Sequence, residues 1–186
     1  MLRYLSSEAG ATPRPALFLD RDGVLNRHIV DGYVTGPSEF EPIDVALEAA
    51  AAAQSLGAAL VVVTNQGVIG RGLATESDVR AVHALLVAAL DEHGIVLDAI
   101  YACPHHPKSP DPAQRVCECR KPKPGMILAA AHDLNLNVDD SIFIGDQPSD
   151  IAAARAAGIS EDRALLVGAD RWDPLAVIRA AWGELP

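Results

Sequence analysis

The stretch that decides the fold is Ala16-Leu17-Phe18-Leu19-Asp20-Arg21-Asp22-Gly23. Four consecutive apolar residues stop abruptly at an acid. A strand with one face in water would alternate apolar and polar side chains, whereas a continuous apolar run suits a parallel strand buried on both faces. The pattern recurs. Ala59-Leu60-Val61-Val62-Val63 runs into Thr64-Asn65-Gln66-Gly67, and Leu97 to Ala102 ends at Cys103. Ser141-Ile142-Phe143-Ile144 ends at Gly145-Asp146, and Ala164-Leu165-Leu166-Val167 is the last such run. Helical segments lie between them. Asp44 heads the Ala-rich stretch 45–56, which Gly57 closes. Thr75 with Asp78 has the spacing of a capping box, ahead of a helix reaching about His93 and stopping at Gly94. Pro124 opens a helix to about Leu134, Ile151 to Ala157 precedes Gly158, and residues 173–182 form the last helix. Strands alternating with helices predict an α/β fold, a parallel sheet covered on both faces.

The 186 residues are 49% hydrophobic, enough for one sizeable core. With only 4% aromatic residues, that core must be built from Val, Ile, Leu and Ala. Residues 1–15 read as a flexible N-terminal extension and 16–186 as a single domain, with a Pro-, Cys- and Lys-rich loop at 103–123. The balance of 15 basic against 25 acidic residues, net −10, speaks against a nucleic-acid partner and against adsorption to an anionic membrane. No apolar run approaches the roughly 20 residues of a spanning helix. The N-terminus lacks the apolar stretch of a signal peptide. A cytoplasmic monomer acting on a small molecule is the expectation.

In open parallel sheets, ligands bind at the carboxyl ends of the strands. Those ends carry Asp20-Arg21-Asp22, Thr64-Asn65-Gln66 and Gly145-Asp146, and the loop after the third strand supplies Arg120 and Lys121. Taken singly, each has a plainer reading: a turn acid, a strand threonine, a solvated lysine. Taken together they are suited to phosphoryl transfer. Carboxylates hold Mg²⁺ through hard oxygens, and one of them can attack phosphorus. A hydroxyl and an ammonium stabilise charge on the transferring group.

In this order, Asp20-x-Asp22-Gly23-Val24, Thr64-Asn65-Gln66, Lys121 and Gly145-Asp146-x-x-x-Asp150, the chain resembles the haloacid dehalogenase-like phosphohydrolases. The resemblance implies a Rossmann-like sheet without a large cap. It implies Asp20 as nucleophile and Asp22 as the acid that protonates the leaving group and later activates water. Mg²⁺ would be held by the Asp20 and Asp146 carboxylates and the Asp22 carbonyl, with Thr64 and Lys121 clamping the phosphoryl group. Asp150 reads as a first-turn helix acid that can support the metal from outside the core site.

The three cysteines cluster as Cys103-Pro104-His105-His106-Pro107 and Cys117-Glu118-Cys119-Arg120-Lys121-Pro122. Three thiolates and one imidazole complete a closed, structural Zn²⁺ site, which would pin the loop ahead of Arg120 and Lys121. The expected set is Cys103, His105, Cys117 and Cys119, although spacing alone also lets His106 reach the metal. Free thiols on a loose loop are the plainer alternative. The insertion resembles the small zinc-containing branch of histidinol-phosphate and heptose-bisphosphate phosphatases. By that resemblance, Arg21, Val30, Asp31, Gly32, Tyr33, Asn65, Gln66, Gly67, Arg120 and Gln147 would line the substrate. Arg120 would serve the second phosphate of a bisphosphate, since its planar fork matches anionic oxygens. The chain departs from the heptose pattern where Val30-Asp31 replaces an acid–His pair and Gln147 replaces a lysine. The expected substrate is a small phosphorylated sugar, D-glycero-D-manno-heptose 1,7-bisphosphate, losing its 7-phosphate. Histidinol phosphate is the alternative, while a polynucleotide end or an inactive binding module would suit the chain less well.

Overall fold

The computed structural model describes residues 1–29, 32–168 and 173–183. Six strands form one sheet: β1 (Leu2–Leu5), β2 (Ala16–Leu19), β3 (Ala59–Asn65), β4 (Ala99–Cys103), β5 (Ile142–Gly145) and β6 (Ala164–Leu166). Their spatial order is β1-β4-β3-β2-β5-β6. All neighbours are parallel except β1, which runs antiparallel to β4. The helices are α1 (Asp44–Ser55), a one-turn α2 (Gly67–Gly70), α3 (Glu76–Asp91), α4 (Gly125–Leu134), α5 (Pro148–Ala157) and α6 (Pro174–Trp182).

The continuous apolar runs have the expected cause. On one face Leu17, Leu19, Leu60, Val62, Ile142 and Ile144 pack with Ala46 and Ala50 of α1, Leu86 and Leu90 of α3, and Ile178 of α6. On the other, Phe18, Val61, Val63, Tyr101 and Phe143 pack with Met126 and Ala130 of α4 and Ala153 of α5. Successive strand residues point to opposite faces and both are covered, so every residue of β2 is buried. Burying side chains such as Leu17 and Phe18 is worth about 1.5–3 kcal/mol each. The capping box read from the sequence forms: Thr75 Oγ1 accepts from the Asp78 N–H at 3.1 Å, and Asp78 Oδ2 accepts from the Thr75 N–H at 2.8 Å. Asp44 does not cap α1: it is the first residue of the helix, behind Ile43, which makes no side-chain cap.

The first residues depart from the expected flexible extension. Leu2–Leu5 pair with Ala99–Ala102 and complete the sheet's edge. The Ser6 N–H then donates to the Asp98 carbonyl, and Arg14 reaches the Asp98 carboxylate at 2.5 Å. Only β4's free edge makes so short a strand worthwhile, because its ladder hydrogen bonds come from a partner nearly a hundred residues away.

Topology places the chemistry. The chain builds β2, β3 and β4 to one side, then returns past β2 to lay down β5 and β6 on the other. The strand order therefore reverses at the β2–β5 seam, where a crevice opens at the carboxyl ends of the strands.

Candidate active site

Asp20 follows β2 at that seam and donates its N–H to the Ile144 carbonyl at 3.0 Å. One step along β5, Gly145 is followed by Asp146. Carboxylate oxygens of Asp20, Asp146 and Asp150 all lie within 4.8 Å of one another. Gly23, with φ +87°, passes so close to the Asp146 carboxylate that a side chain there would collide with it.

Lys121 reaches into this group from the loop after β4. Its side chain is 1% exposed, and Nζ meets Asp20 Oδ1 at 2.9 Å and Asp150 Oδ1 at 2.8 Å and donates to the Val63 carbonyl at 2.8 Å. The ammonium thus sits among two carboxylates and a carbonyl. Burial works against the charged ammonium, but Asp20 and Asp150 outweigh it and hold the Lys121 pKa above the ordinary lysine value. Burial raises the Asp20 pKa to about 7, against the pull of Lys121 and with help from Asp150. Burial also raises the Asp146 pKa, partly offset by the Gln147 amide. Asn65 holds the Lys121 backbone from both sides: its Oδ1 accepts from the Lys121 N–H at 3.0 Å, and its Nδ2 donates to the Lys121 carbonyl at 3.1 Å.

Asp22 is gripped by donors. Burial pushes against its ionised form, yet Arg21, Asn26 and Gln66 hold its pKa below the ordinary carboxylate value. Arg21 Nε and Nη2 donate to Asp22 Oδ1 at 3.0 and 2.9 Å, Nη2 also donates to Oδ2 at 3.0 Å, and Asn26 Nδ2 donates to Oδ1 at 3.0 Å. Gln66 Nε2 donates to Asp22 Oδ2 at 2.9 Å and to Thr64 Oγ1 at 2.8 Å.

A cavity of about 280 Å³ opens over these groups. Asp20, Asp22, Thr64, Lys121 and Asp146 line it, as do Gly32, Tyr33, Asn65, Arg120 and Gln147 from the expected substrate set. Three members of that set do not. Arg21 is fully buried, its guanidinium turned to Asp22. Gln66 is 2% exposed and turned inward to the same carboxylate. Gly67 packs against the loop that carries His106 and Arg120: a Cβ there would lie 2.7 Å from His106 and 3.1 Å from Arg120, so this glycine leaves room for that loop. Val30 and Asp31 lie outside the described residues. The wall also includes His28, Ile29, Val34 and Ser149, which the sequence did not single out. Asp150, quoted in the motif and set outside the core, forms an ion pair with Lys121 through Oδ1 at 2.8 Å and accepts from the Gln147 N–H through Oδ2 at 3.0 Å.

The cysteine cluster assembles beside this crevice. Cys103 Sγ lies 3.7 Å from Cys117 Sγ and 3.3 Å from Cys119 Sγ, while His105 Nδ1 lies 3.6 and 3.3 Å from Cys103 and Cys119. A tetrahedron with Zn–S bonds of about 2.3 Å has edges near 3.8 Å, so the four donors are spaced for one such ion. The hydrogen bond shared by Cys103 and Cys119 drives the two thiols apart, lowering the Cys119 pKa to about 5 and raising that of Cys103, so one of the pair is held as a thiolate. His106 turns away, its Nδ1 accepting from the Lys108 N–H at 3.0 Å. The Arg120 guanidinium donates to the His105 carbonyl at 3.1 Å, tying the cluster to the cavity wall.

A family model described as HAD-hydrolase-like matches residues 118–173. Over 146 residues the chain is 43% identical to a D-glycero-β-D-manno-heptose-1,7-bisphosphate 7-phosphatase from Yersinia pestis, a match covering 78% of this chain and 77% of that protein. The chain belongs to this phosphatase family. The family's member from Escherichia coli strain K12 is 42% identical over 146 residues, covering 78% of this chain and 75% of its own length. Among solved structures, a D,D-heptose 1,7-bisphosphate phosphatase from B. bronchiseptica, complexed with magnesium and phosphate, matches with a TM-score of 0.70 and 34% identity. That match covers 78% of each chain. A HAD-like phosphatase from Mesorhizobium loti gives a TM-score of 0.78 at 34% identity, covering 84% of this chain and 74% of the other. The six-stranded sheet is accordingly a haloacid dehalogenase-like sheet, and as a member of this phosphatase family the chain is a phosphoric monoester hydrolase.

Proposed function

We propose that the chain removes the 7-phosphate of D-glycero-D-manno-heptose 1,7-bisphosphate, leaving heptose 1-phosphate. The observation that carries this reading is Asp20 and a buried Lys121 in contact at the floor of a cavity whose wall also holds Arg120. One anion can then react at the floor while a second is held by the guanidinium fork.

Asp20 attacks phosphorus in line, forming an aspartyl-phosphate as the sugar alkoxide leaves. Thr64 and Lys121 hold the phosphoryl oxygens, with Asn65 fixing Lys121 from its backbone. Asp22 is ionised in the free protein, so it takes up a proton from solvent as the phosphate ester binds, gives it to the leaving oxygen and regains one from the hydrolytic water. To do so, its carboxyl exchanges one of the donors that now hold it for the substrate oxygen.

The residues fit Mg²⁺: Asp146 Oδ1 is buried with no hydrogen-bond partner, and the Asp20 carboxylate lies beside it. Asp20, Asp146 and the Asp22 carbonyl would hold the ion, with Asp150 engaged by Lys121 instead. When bound, the metal offsets repulsion between the attacking carboxylate and the phosphate ester. The Cys103, His105, Cys117 and Cys119 set fits a structural Zn²⁺, with every position filled by protein. Among the described residues no helix is long and apolar enough to cross a membrane. Three free thiols gathered in one metal cluster suit a reducing compartment, so we place the enzyme in the cytoplasm, acting as a monomer.

The test compares phosphate release from heptose 1,7-bisphosphate and from histidinol phosphate. Faster turnover of the heptose compound is expected. A large preference for histidinol phosphate overturns the substrate assignment.

A further inference from the structure

Gln66 has two N–H bonds on one nitrogen, and both are committed inside the protein, to Thr64 Oγ1 at 2.8 Å and to Asp22 Oδ2 at 2.9 Å. Sterically an amide fits either way round, so chemistry must choose its direction. An ionised carboxylate only accepts, and the amide oxygen turned toward Asp22 would set lone pair against lone pair. Asp22 therefore selects the nitrogen end. The second N–H then makes Thr64 Oγ1 an acceptor. A hydroxyl has a single hydrogen. Once Oγ1 accepts from Gln66, that hydrogen is left to donate, and Thr64 stands on the cavity wall.

We propose that Gln66 is a positioning residue: it sets the polarity of the Thr64 hydroxyl, so that Thr64 meets the transferring phosphoryl group as a donor. Phosphoryl oxygens only accept, so a Thr64 hydroxyl presented lone pair first would repel them. The inference rests on the reading of the site as a phosphatase and adds a residue to it. The other arm of Gln66 is redundant, because Arg21 and Asn26 supply four further contacts to the Asp22 carboxylate. Loss of the amide therefore acts chiefly through Thr64.

Orthovanadate, titrated calorimetrically into the Mg²⁺-supplemented protein, reads phosphoryl-group binding without any sugar. Gln66→Met should weaken binding roughly tenfold, the scale of one lost hydrogen bond. On a Thr64→Val background the same change should cost less than about twofold, since the hydroxyl it serves is gone. Gln66→Glu keeps the shape of the side chain but carries at most one hydrogen, so it cannot donate in both directions. It should bind orthovanadate at least as poorly as Gln66→Met, and it carries the test if Gln66→Met does not fold. Melting temperatures of all variants report their folding. Equal losses from Gln66→Met on both backgrounds, or wild-type binding by Gln66→Glu, overturn the proposal. Wild-type protein that fails to bind orthovanadate overturns the phosphatase reading and this inference with it. An error in the sugar alone would appear only in the phosphate-release comparison.

Discussion

Asp20→Asn should abolish turnover and, in metal-free protein, remove a loss of stability that the wild type suffers as pH rises toward neutral. Asp20 is 7% exposed, and burial lifts its pKa from the ordinary 3.8 to about 7. A carboxyl whose pKa is raised on folding contributes stability that is fully present below about pH 3.8 and is lost as pH rises through about 7. Across that window the native state keeps a proton that the unfolded chain gives up. At roughly 1.36 kcal/mol per pH unit, the full loss is on the order of 4 kcal/mol. Asn does not titrate, and its Oδ1 can still accept from the Arg21 N–H, which now meets Asp20 Oδ1 at 2.7 Å, and from Lys121. The variant escapes this pH-dependent loss, but it withdraws one of the two anions that hold the buried Lys121 ammonium, a cost that does not change between pH 5 and pH 8. About 3 kcal/mol of the wild-type loss falls in that interval. At about 2–4 °C per kcal/mol for a chain of this size, the melting temperature of the variant relative to wild type should therefore rise by about 5–10 °C from pH 5 to pH 8. The assay is thermal unfolding followed by circular dichroism, in chelator, at the two pH values. Added Mg²⁺ should shift the difference back toward the wild type at pH 8, because the cation stabilises the ionised carboxylate that only the wild type has. A difference that does not move in the variant's favour between pH 5 and pH 8 refutes the reasoning.

Three more outcomes can be checked. Asn65→Leu removes both hydrogen bonds to the Lys121 backbone and should lower kcat roughly tenfold, by steady-state phosphate release, and lower the melting temperature too, since a part-buried N–H and carbonyl lose their partners. Elemental analysis should find about one Zn²⁺ per chain, and Cys117→Ser should reduce that content and make residues 103–123 more susceptible to proteolysis. Removing residues 1–5 strips β1 from the β4 edge and should cost about 1–3 kcal/mol in urea unfolding, the sum of a few cross-strand pairs, while leaving KM unchanged because β1 lies at the far edge from the cavity.

The sequence alone determined the α/β class, since runs such as Ala16–Leu19 and Ala59–Val63 are apolar at every position and only a sheet covered on both faces accommodates that. It also determined where the acids and the threonine would stand, because a buried strand must surrender its polar residues at its end. Capping residues such as Thr75 and Asp78 were legible for the same local reason. Leu2–Leu5 was not: four alternating residues form a strand only where an unpaired edge awaits them. Nor could local pattern assign directions to side chains in loops. Arg21 and Gln66 carry polar groups that suit a substrate, and only the packed structure turns them inward to Asp22. His105 and His106 are adjacent in sequence, and the path of the loop alone sends one to the three sulfurs and the other away. Strand order, and with it the meeting of Lys121 with Asp20 from about a hundred residues earlier and with Asp150, was decided by tertiary structure. A buried ammonium needs acceptors on every side, and no local stretch of this chain supplies them.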